Sequence, residues 1–278
     1  MEPVRIDLSE YVHSGEGANG ESFFHRSDPS IMMKLYNESA PRDIIIAEYE
    51  LSHKVFDAGL PVPEAGDLVT DGSRIGIRFR RIPGKVSFSR ATGDHPEKVE
   101  EYARRFARLC LRFHSAHMDT TQFRNVKDVD LELLAENPFF TPEEKEKVAD
   151  FIRNAPDGDA PYHGDLQFSN AVMDADGNEF FIDLGDFACG HPYFDLGMVL
   201  LCCVYDDEEF IRETFHMSKA TAAEFWKYFA KEYFGEDADL DEIEALLRPY
   251  AGLKALIIER NSGAAFPQFH ALLDGILK

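Results

Sequence analysis

The sequence predicts an α+β protein of two lobes, a small strand-rich lobe at the N-terminus and a larger, mainly helical lobe after it. Three observations predict it. The first eighty or so residues are rich in glycine and short strand-like runs, the pattern beyond Ile82-Pro83-Gly84 turns helical, and one more hairpin interrupts the helices near residue 175. With 278 residues and 44% apolar side chains, the chain can bury a sizeable core as one large domain or two lobes. The boundary is drawn after Pro83, giving lobes of 1–83 and 84–278.

In the first lobe, Ile31-Met32-Met33-Lys34-Leu35-Tyr36 reads as a strand, and 74–80 alternates polar with mostly apolar residues as a second. Between them 41–57 is helical, until Gly59-Leu60-Pro61-Val62-Pro63 stops it. Upstream, Gly15-Glu16-Gly17-Ala18-Asn19-Gly20 is a G-x-G-x-x-G pattern. Alone it fits a dinucleotide fold or an ordinary loop equally well. It is followed by Phe23, Phe24 and the strand bearing Lys34, whereas a dinucleotide fold needs a helix directly after the glycines. A glycine-rich hairpin turn can bring backbone amides close to phosphates, because no β-carbons block the approach. Lys34 is a charge in an apolar strand and costs free energy unless its ammonium is paired or snorkels from an edge. Glu48 and Glu50 on the next helix are both candidate partners.

In the second lobe, Val99, Tyr102, Ala103, Phe106, Cys110, Phe113 and His117 share one face of a core helix over 97–117. Residues 195–205 are nearly all apolar and must be buried. Two amphipathic helices follow, one marked by Phe225, Trp226, Phe229 and Tyr233, the other by Ile243, Leu246, Leu247, Tyr250, Leu253 and Ile257. The acidic runs at 206–209 and 236–239 read as solvated loops.

Residues 163–186 carry the chemistry. Asp165 and Asn170 stand five residues apart in a loop opened by His163, and Asp183 comes eighteen residues after Asp165. Ala171-Val172-Met173, a polar turn over 174–178 and Phe180-Phe181-Ile182 form a hairpin, which should bring that loop and Asp183 together. Asn170 and Asp183 are hard oxygen ligands suited to Mg²⁺ beside a free carboxylate, Asp165. This pattern suits phosphoryl transfer. The turn is not a calcium loop, since Glu179 stands where a glycine is required. No second His or Cys lies at ligand spacing from His163, which reads as a brace for the loop, and His114 with His117 makes a poor metal pair.

Composition narrows the partners. The formal charge of −22, from 29 basic and 51 acidic residues, argues against nucleic acid as a partner, while an acidic surface favours small cations and also simple solubility. No apolar run is long enough for a membrane span, and the N-terminus lacks a basic region followed by an apolar one, so the expected location is the cytoplasm. The four cysteines show neither zinc-site spacing nor disulfide density.

Taken together, these parts resemble the aminoglycoside phosphotransferase and choline kinase family of small-molecule kinases, over nearly the whole chain. The resemblance is carried by His163-Gly164-Asp165 with Asn170, by Ile182-Asp183-Leu184-Gly185, by the glycine motif and by Lys34. It implies a protein-kinase-like fold, with an antiparallel sheet and one helix in the small lobe. It also implies that Asp165 faces the acceptor hydroxyl as base or orienter, and that Asn170 and Asp183 hold Mg²⁺ on the nucleotide. Lys34 would bind the phosphates, and counting back from Leu60-Pro61-Val62-Pro63 favours Glu48 as its partner. The nucleotide, ATP or GTP, would lie between the lobes under Gly15, Gly17 and Gly20, with its base near Arg80 to Gly84. Asp195, in Pro192-Tyr193-Phe194-Asp195, resembles the family aspartate that secures the catalytic loop, although a plain helix cap explains it equally well.

Departures refine this reading. Gly164 stands where protein kinases usually carry Arg, Gln167 replaces their catalytic-loop Lys, and the segment from Gly185 to Phe194 leaves no room for a peptide-docking loop. These point to a small hydroxyl-bearing acceptor, cationic if the acidic surface guides it. Asp186 replaces an Arg carried by many relatives, leaving the local charge open. The alternative is a catalytically silent kinase-fold protein that binds nucleotide or a partner. Acceptor identity and oligomeric state are not written in any motif.

Overall fold

The computed structural model describes residues 2–17 and 19–278; Met1, and Ala18 inside the glycine motif, lie outside the described residues. Two compact units emerge, one holding the chain up to Val86 together with Val172–Gly185, the other Ser87–Ala171 with Asp186–Lys278. The hairpin therefore groups with the first unit, which a single cut after Pro83 does not express.

The first unit is built on a six-stranded sheet of order β1-β5-β6-β4-β3-β2, comprising β1 (Val4–Arg5), β2 (Tyr11–Gly17), β3 (Gly20–His25), β4 (Ile31–Tyr36), β5 (Ala65–Thr70) and β6 (Ile75–Arg80). The expected antiparallel sheet needs one correction: β1 pairs parallel with β5, through Val4 with Val69 and Arg5 with Thr70. No tight hairpin turn joins β1 to β5, which are far apart in the chain, so none dictates an antiparallel direction. Helix α1 (Arg42–Asp57) lies between β4 and β5 in the chain. Strand periodicity gives each face its own cluster. Met33 and Leu35 of β4 join Ile6, Tyr11, Phe23 and Val69 on one face. Tyr36 joins Leu68, Ile77 and the α1 residue Ile45 on the other.

The hairpin strands Ala171–Met173 and Glu179–Phe181 enclose a turn in which the Asp174 carboxylate accepts from the amides of Asp176 and Asn178 at 2.9 and 2.8 Å. Two backbone bonds tie the hairpin into its unit, Phe181 to the Pro61 carbonyl at 2.7 Å and Ala175 to the Pro83 carbonyl at 3.0 Å.

The second unit is helical: α2 (Phe88–Asp94), α3 (Val99–His114), α4 (Val126–Glu136), α5 (Pro142–Asn154), α6 (Tyr193–Leu200), α7 (Glu208–Phe215), α8 (Lys219–Phe234) and α9 (Leu240–Ser262) are its principal helices. A short antiparallel pair, Ala160–Tyr162 with Ala188–Gly190, supports the loop that begins at His163. Aromatic packing joins α3 to α8, with the Phe106 ring 5.9 Å from Phe225 and 5.4 Å from Phe229. The long apolar run is buried as expected, and its second half, Leu201–Tyr205, winds into a π-helical turn.

Two expectations differ. Helix α3 ends at His114, which is buried, while His117 lies beyond it and is exposed. The acidic run 206–209 is not a free loop, because Asp207 caps α7 by accepting from the Phe210 amide at 2.8 Å, and Glu208 and Glu209 occupy the first turn. Carboxylates there meet the unsatisfied amides and positive end of the helix dipole. Asp239 caps α9 in the same way.

Candidate active site

In the first unit, β4 alternation turns Lys34 toward the face covered by α1. Its Nζ stands 3.1 Å from Glu48 Oε1 and 3.6 Å from Asp183 Oδ1, above the Tyr36 ring at 4.8 Å. Glu48 lies one helical turn after the buried Ile45, on the side of α1 that meets the sheet, whereas Glu50 is exposed. Burial opposes the charge on Lys34, but Asp183 and Glu48 more than offset it, so the ammonium is held above the usual lysine range. Asp183 adopts φ 63°, a left-handed conformation uncommon outside glycine. Such backbone is kept where a side chain must point in one direction.

Strands β2 and β3 bring Gly17 of the glycine motif opposite Gly20. Gly20 is required by packing: a Cβ there would stand 2.1 Å from the Leu35 carbonyl oxygen. Gly15 is not, since a Cβ would meet nothing within 4 Å, and at Gly17 it would reach only the Gly20 carbonyl at 3.7 Å. The space beside these two α-carbons is therefore open.

In the second unit, the loop is pinned from below. Asp195, the third residue of α6 and fully buried, accepts from the His163 amide at 2.7 Å and the Gly164 amide at 3.1 Å. Of the two readings of Asp195, the structure therefore shows the loop contact and not a helix cap. His114 Nε2 lies 3.2 Å from the same carboxylate, and its Nδ1 lies 2.8 Å from the Tyr233 hydroxyl. Burial works against the Asp195 charge, but the bond to His114 and the charges of His114, Lys254 and His163 outweigh it, keeping the carboxyl below its usual range. Gly164 sits at φ 91°, and a Cβ there would be 2.6 Å from both the Cβ and the carbonyl oxygen of Asp186, so no larger residue fits.

Asp165 is half-buried at the top of this loop. Its Oδ2 accepts from Gln167 Nε2 at 2.7 Å and Asn170 Nδ2 at 2.8 Å, while its amide donates to His163 Nδ1 at 3.3 Å. Asn170 Nδ2 also reaches the Asp165 carbonyl at 3.0 Å, which spends its donors and leaves Oδ1 as an oxygen that could hold a cation. Leu166 and Phe168, both fully buried, fasten the loop, Phe168 against Phe215 and Phe225 with ring centroids at 4.4 and 5.2 Å. His163 is buried within the second unit, as a bracing residue would be. The open question at Asp186 is answered by Arg260, whose Nη2 lies 3.3 Å from its Oδ1.

Residues 15–229 match the model of the phosphotransferase enzyme family, APH. The chain belongs to that family. No curated protein matches this family member. Its fold is shared with solved kinases. One is a thermostable mutant of aminoglycoside phosphotransferase APH(4)-Ia in ternary complex with ADP and hygromycin B, at 16% identity and TM-score 0.63 over 97% of this chain and 93% of that one. Another is aminoglycoside-3'-phosphotransferase of type VIII, at 18% identity and TM-score 0.56 over 88% and 93%. A third is APH(3'')-Id from Streptomyces rimosus with ADP and streptomycin, at 19% identity and TM-score 0.55 over 84% and 90%. Among the described residues of this APH-family chain, no helix is long and apolar enough to cross a membrane.

Two buried polar residues have roles that the sequence does not single out. His114 is weighed there only as a poor metal partner of His117, and Lys254 lies in Leu253-Lys254-Ala255-Leu256, beyond the family match. Lys254 shows the signal that marked Lys34, a lone charge inside an apolar stretch, and its Nζ donates to the Tyr162 hydroxyl at 2.8 Å and the Gly164 carbonyl at 3.4 Å. Glu259 is buried and taken up by Asn137, His270 and the Phe266 amide, each at 2.8 Å, and so is no part of an acidic surface for a cation.

Proposed function

We propose that this chain transfers the γ-phosphoryl group of ATP or GTP to a hydroxyl of a small, cationic molecule. The observation that carries the proposal is the Asp165 carboxylate. One oxygen, Oδ2, is engaged by Gln167 and Asn170, and the loop beneath it is bonded at successive backbone amides, so the other oxygen is presented in a fixed direction. That suits orientation of an acceptor hydroxyl. The proton passes to Asp165 late, since a loose transition state asks little of early deprotonation.

Lys34, kept charged by Glu48 and Asp183, is suited to the α- and β-phosphates, and the open space beside the Gly15 and Gly17 α-carbons lets that backbone approach the same anion. Asn170 Oδ1 and the Asp183 carboxylate, which is more than half exposed, are hard oxygen donors and fit Mg²⁺. When bound there, Mg²⁺ neutralises charge on the nucleotide phosphates. The ADP complexes of APH(4)-Ia and APH(3'')-Id, with hygromycin B and streptomycin, support a nucleotide and a small-molecule acceptor here.

Phosphorylation assays with ATP and GTP against aminoglycosides, choline, ethanolamine, homoserine, sugars and glycated amines test the proposal. Asp165→Asn should lower turnover of the true acceptor by at least about a thousandfold and leave nucleotide affinity within a few-fold. Near-normal turnover by that variant would remove Asp165 from the mechanism. Absence of any Mg²⁺-dependent phosphotransfer or ATP hydrolysis by the parent would favour the silent, nucleotide-binding alternative.

A further inference from the structure

Lys254 is an ammonium buried on α9, 4% exposed, in a stretch otherwise apolar. Removing such a charge from water is costly, and the usual compensation is direct contact with a carboxylate. Here both hydrogen bonds go to neutral oxygens, the Tyr162 hydroxyl and the Gly164 carbonyl. The carboxylates of Asp195, Asp130, Asp165 and Asp186 act on it electrostatically. A cation needed only to balance Asp130 would be expected to touch it.

The destination of those two bonds is informative. Tyr162 ends the strand that leads into the loop, and the Gly164 carbonyl belongs to the same peptide unit as the Asp165 amide, which donates to His163 Nδ1 at 3.3 Å. The peptide preceding Asp165 is thus held at both ends, while Asp195 holds the amides of His163 and Gly164. Gly164 is the residue at which this backbone turns most easily, because nothing but its surroundings restrains a glycine at φ 91°.

We propose that Lys254 is a positioning residue of the phosphotransfer loop, clamping the Gly164 carbonyl so that the peptide carrying Asp165 cannot flip. For its consequence in turnover the proposal rests on the function proposed above. The clamp itself does not.

A double variant separates the clamp from charge balance. Lys254→Met keeps the chain length without the donors, and Asp130→Asn removes the carboxylate that would otherwise be left without its cation. Replacing both charges of a buried set is tolerated far better than removing one. Hydrogen exchange of the amides at 163–166 is compared in the parent, Lys254→Met and the double variant, at pH 7 without nucleotide. We expect the double variant to unfold within a few degrees of the parent, yet to exchange these amides at least about tenfold faster, a change of about 1.4 kcal/mol. With MgATP it should lose kcat with KM unchanged. Should the double variant not fold, Tyr162→Phe, which removes the anchor of the ammonium, should speed the same amides. Parental exchange rates in the double variant, or loosening in Lys254→Met that Asp130→Asn repairs, would overturn the proposal and leave Lys254 as a counter-charge. Exchange needs no acceptor, so that decision stands apart from whether the chain turns over nucleotide.

Discussion

Lys34 and Lys254 are both cations set into apolar segments, and the difference between them lies in their neighbours. Lys34 touches two carboxylates, Glu48 and Asp183, whereas the bonds of Lys254 go to neutral oxygens. The first was legible because β-strand alternation and a helix one connection away limit its partners to a few residues. The second was not, because Tyr162 and Gly164 are some ninety residues distant and no local pattern links them. Asp195 is a similar case: the sequence left loop anchor and helix cap open, and the deciding contacts lie 31 and 32 residues upstream. Its two charge-assisted bonds to buried amides set a measurable cost. Asp195→Asn retains one acceptor oxygen but turns an NH₂ group toward the second amide, and should destabilise the fold by about 3 kcal/mol in urea unfolding. A loss under about 0.5 kcal/mol would mean that the carboxylate is not what holds the loop.

Helix α6 carries Asp195 and helix α9 carries Lys254, so the loop depends on how closely these elements cross. Gly197 sets that distance. A Cβ there would lie 2.5 Å from the backbone carbonyl carbon of Tyr250 and 2.8 Å from the Ala251 nitrogen, and neither atom can move aside as a side chain can. The Ile243 to Ile257 periodicity reveals α9, even though Pro249 sits inside it, whereas the apolar run after Asp195 reveals burial alone. Their mutual contact was hidden, since periodicity reports which face is apolar and not which partner covers it. Gly197→Ala should therefore cost about 1–3 kcal/mol by overpacking. It should also reduce turnover at temperatures where the protein remains folded. Unchanged stability would show that α6 and α9 can separate without consequence for the loop.

At the scale of the whole molecule, the net charge of −22 and a small set of buried carboxyls act on stability in the same direction. Burial raises Asp130 and Asp206 to about 7, against the opposing pull of Lys254 on the first and Lys219 on the second. An acid with a raised folded pKa gives the native state an extra proton between about pH 4 and pH 7. Stability due to such groups falls as pH rises through that window and levels off above it. Asp71, lowered to about 2 despite burial by hydrogen bonds from Arg74 and Ser73, works the other way, and its contribution is lost only as pH falls below about 4. General repulsion among the acidic side chains adds to the decline on the alkaline side and is screened by salt. Unfolding free energy measured by urea at pH 5 should accordingly exceed that at pH 8, with a smaller gap in 0.5 M salt. Asp206→Asn should narrow the gap further, by at most about 3 kcal/mol, since the group then has no proton to lose between pH 5 and pH 8. The Asp206 carbonyl that receives the Lys219 ammonium is kept in that variant, so folding itself is not at issue. A parent protein more stable at pH 8 than at pH 5, or an Asp206→Asn variant with an undiminished gap, would show that these carboxyls are ionised in the folded state well below neutrality.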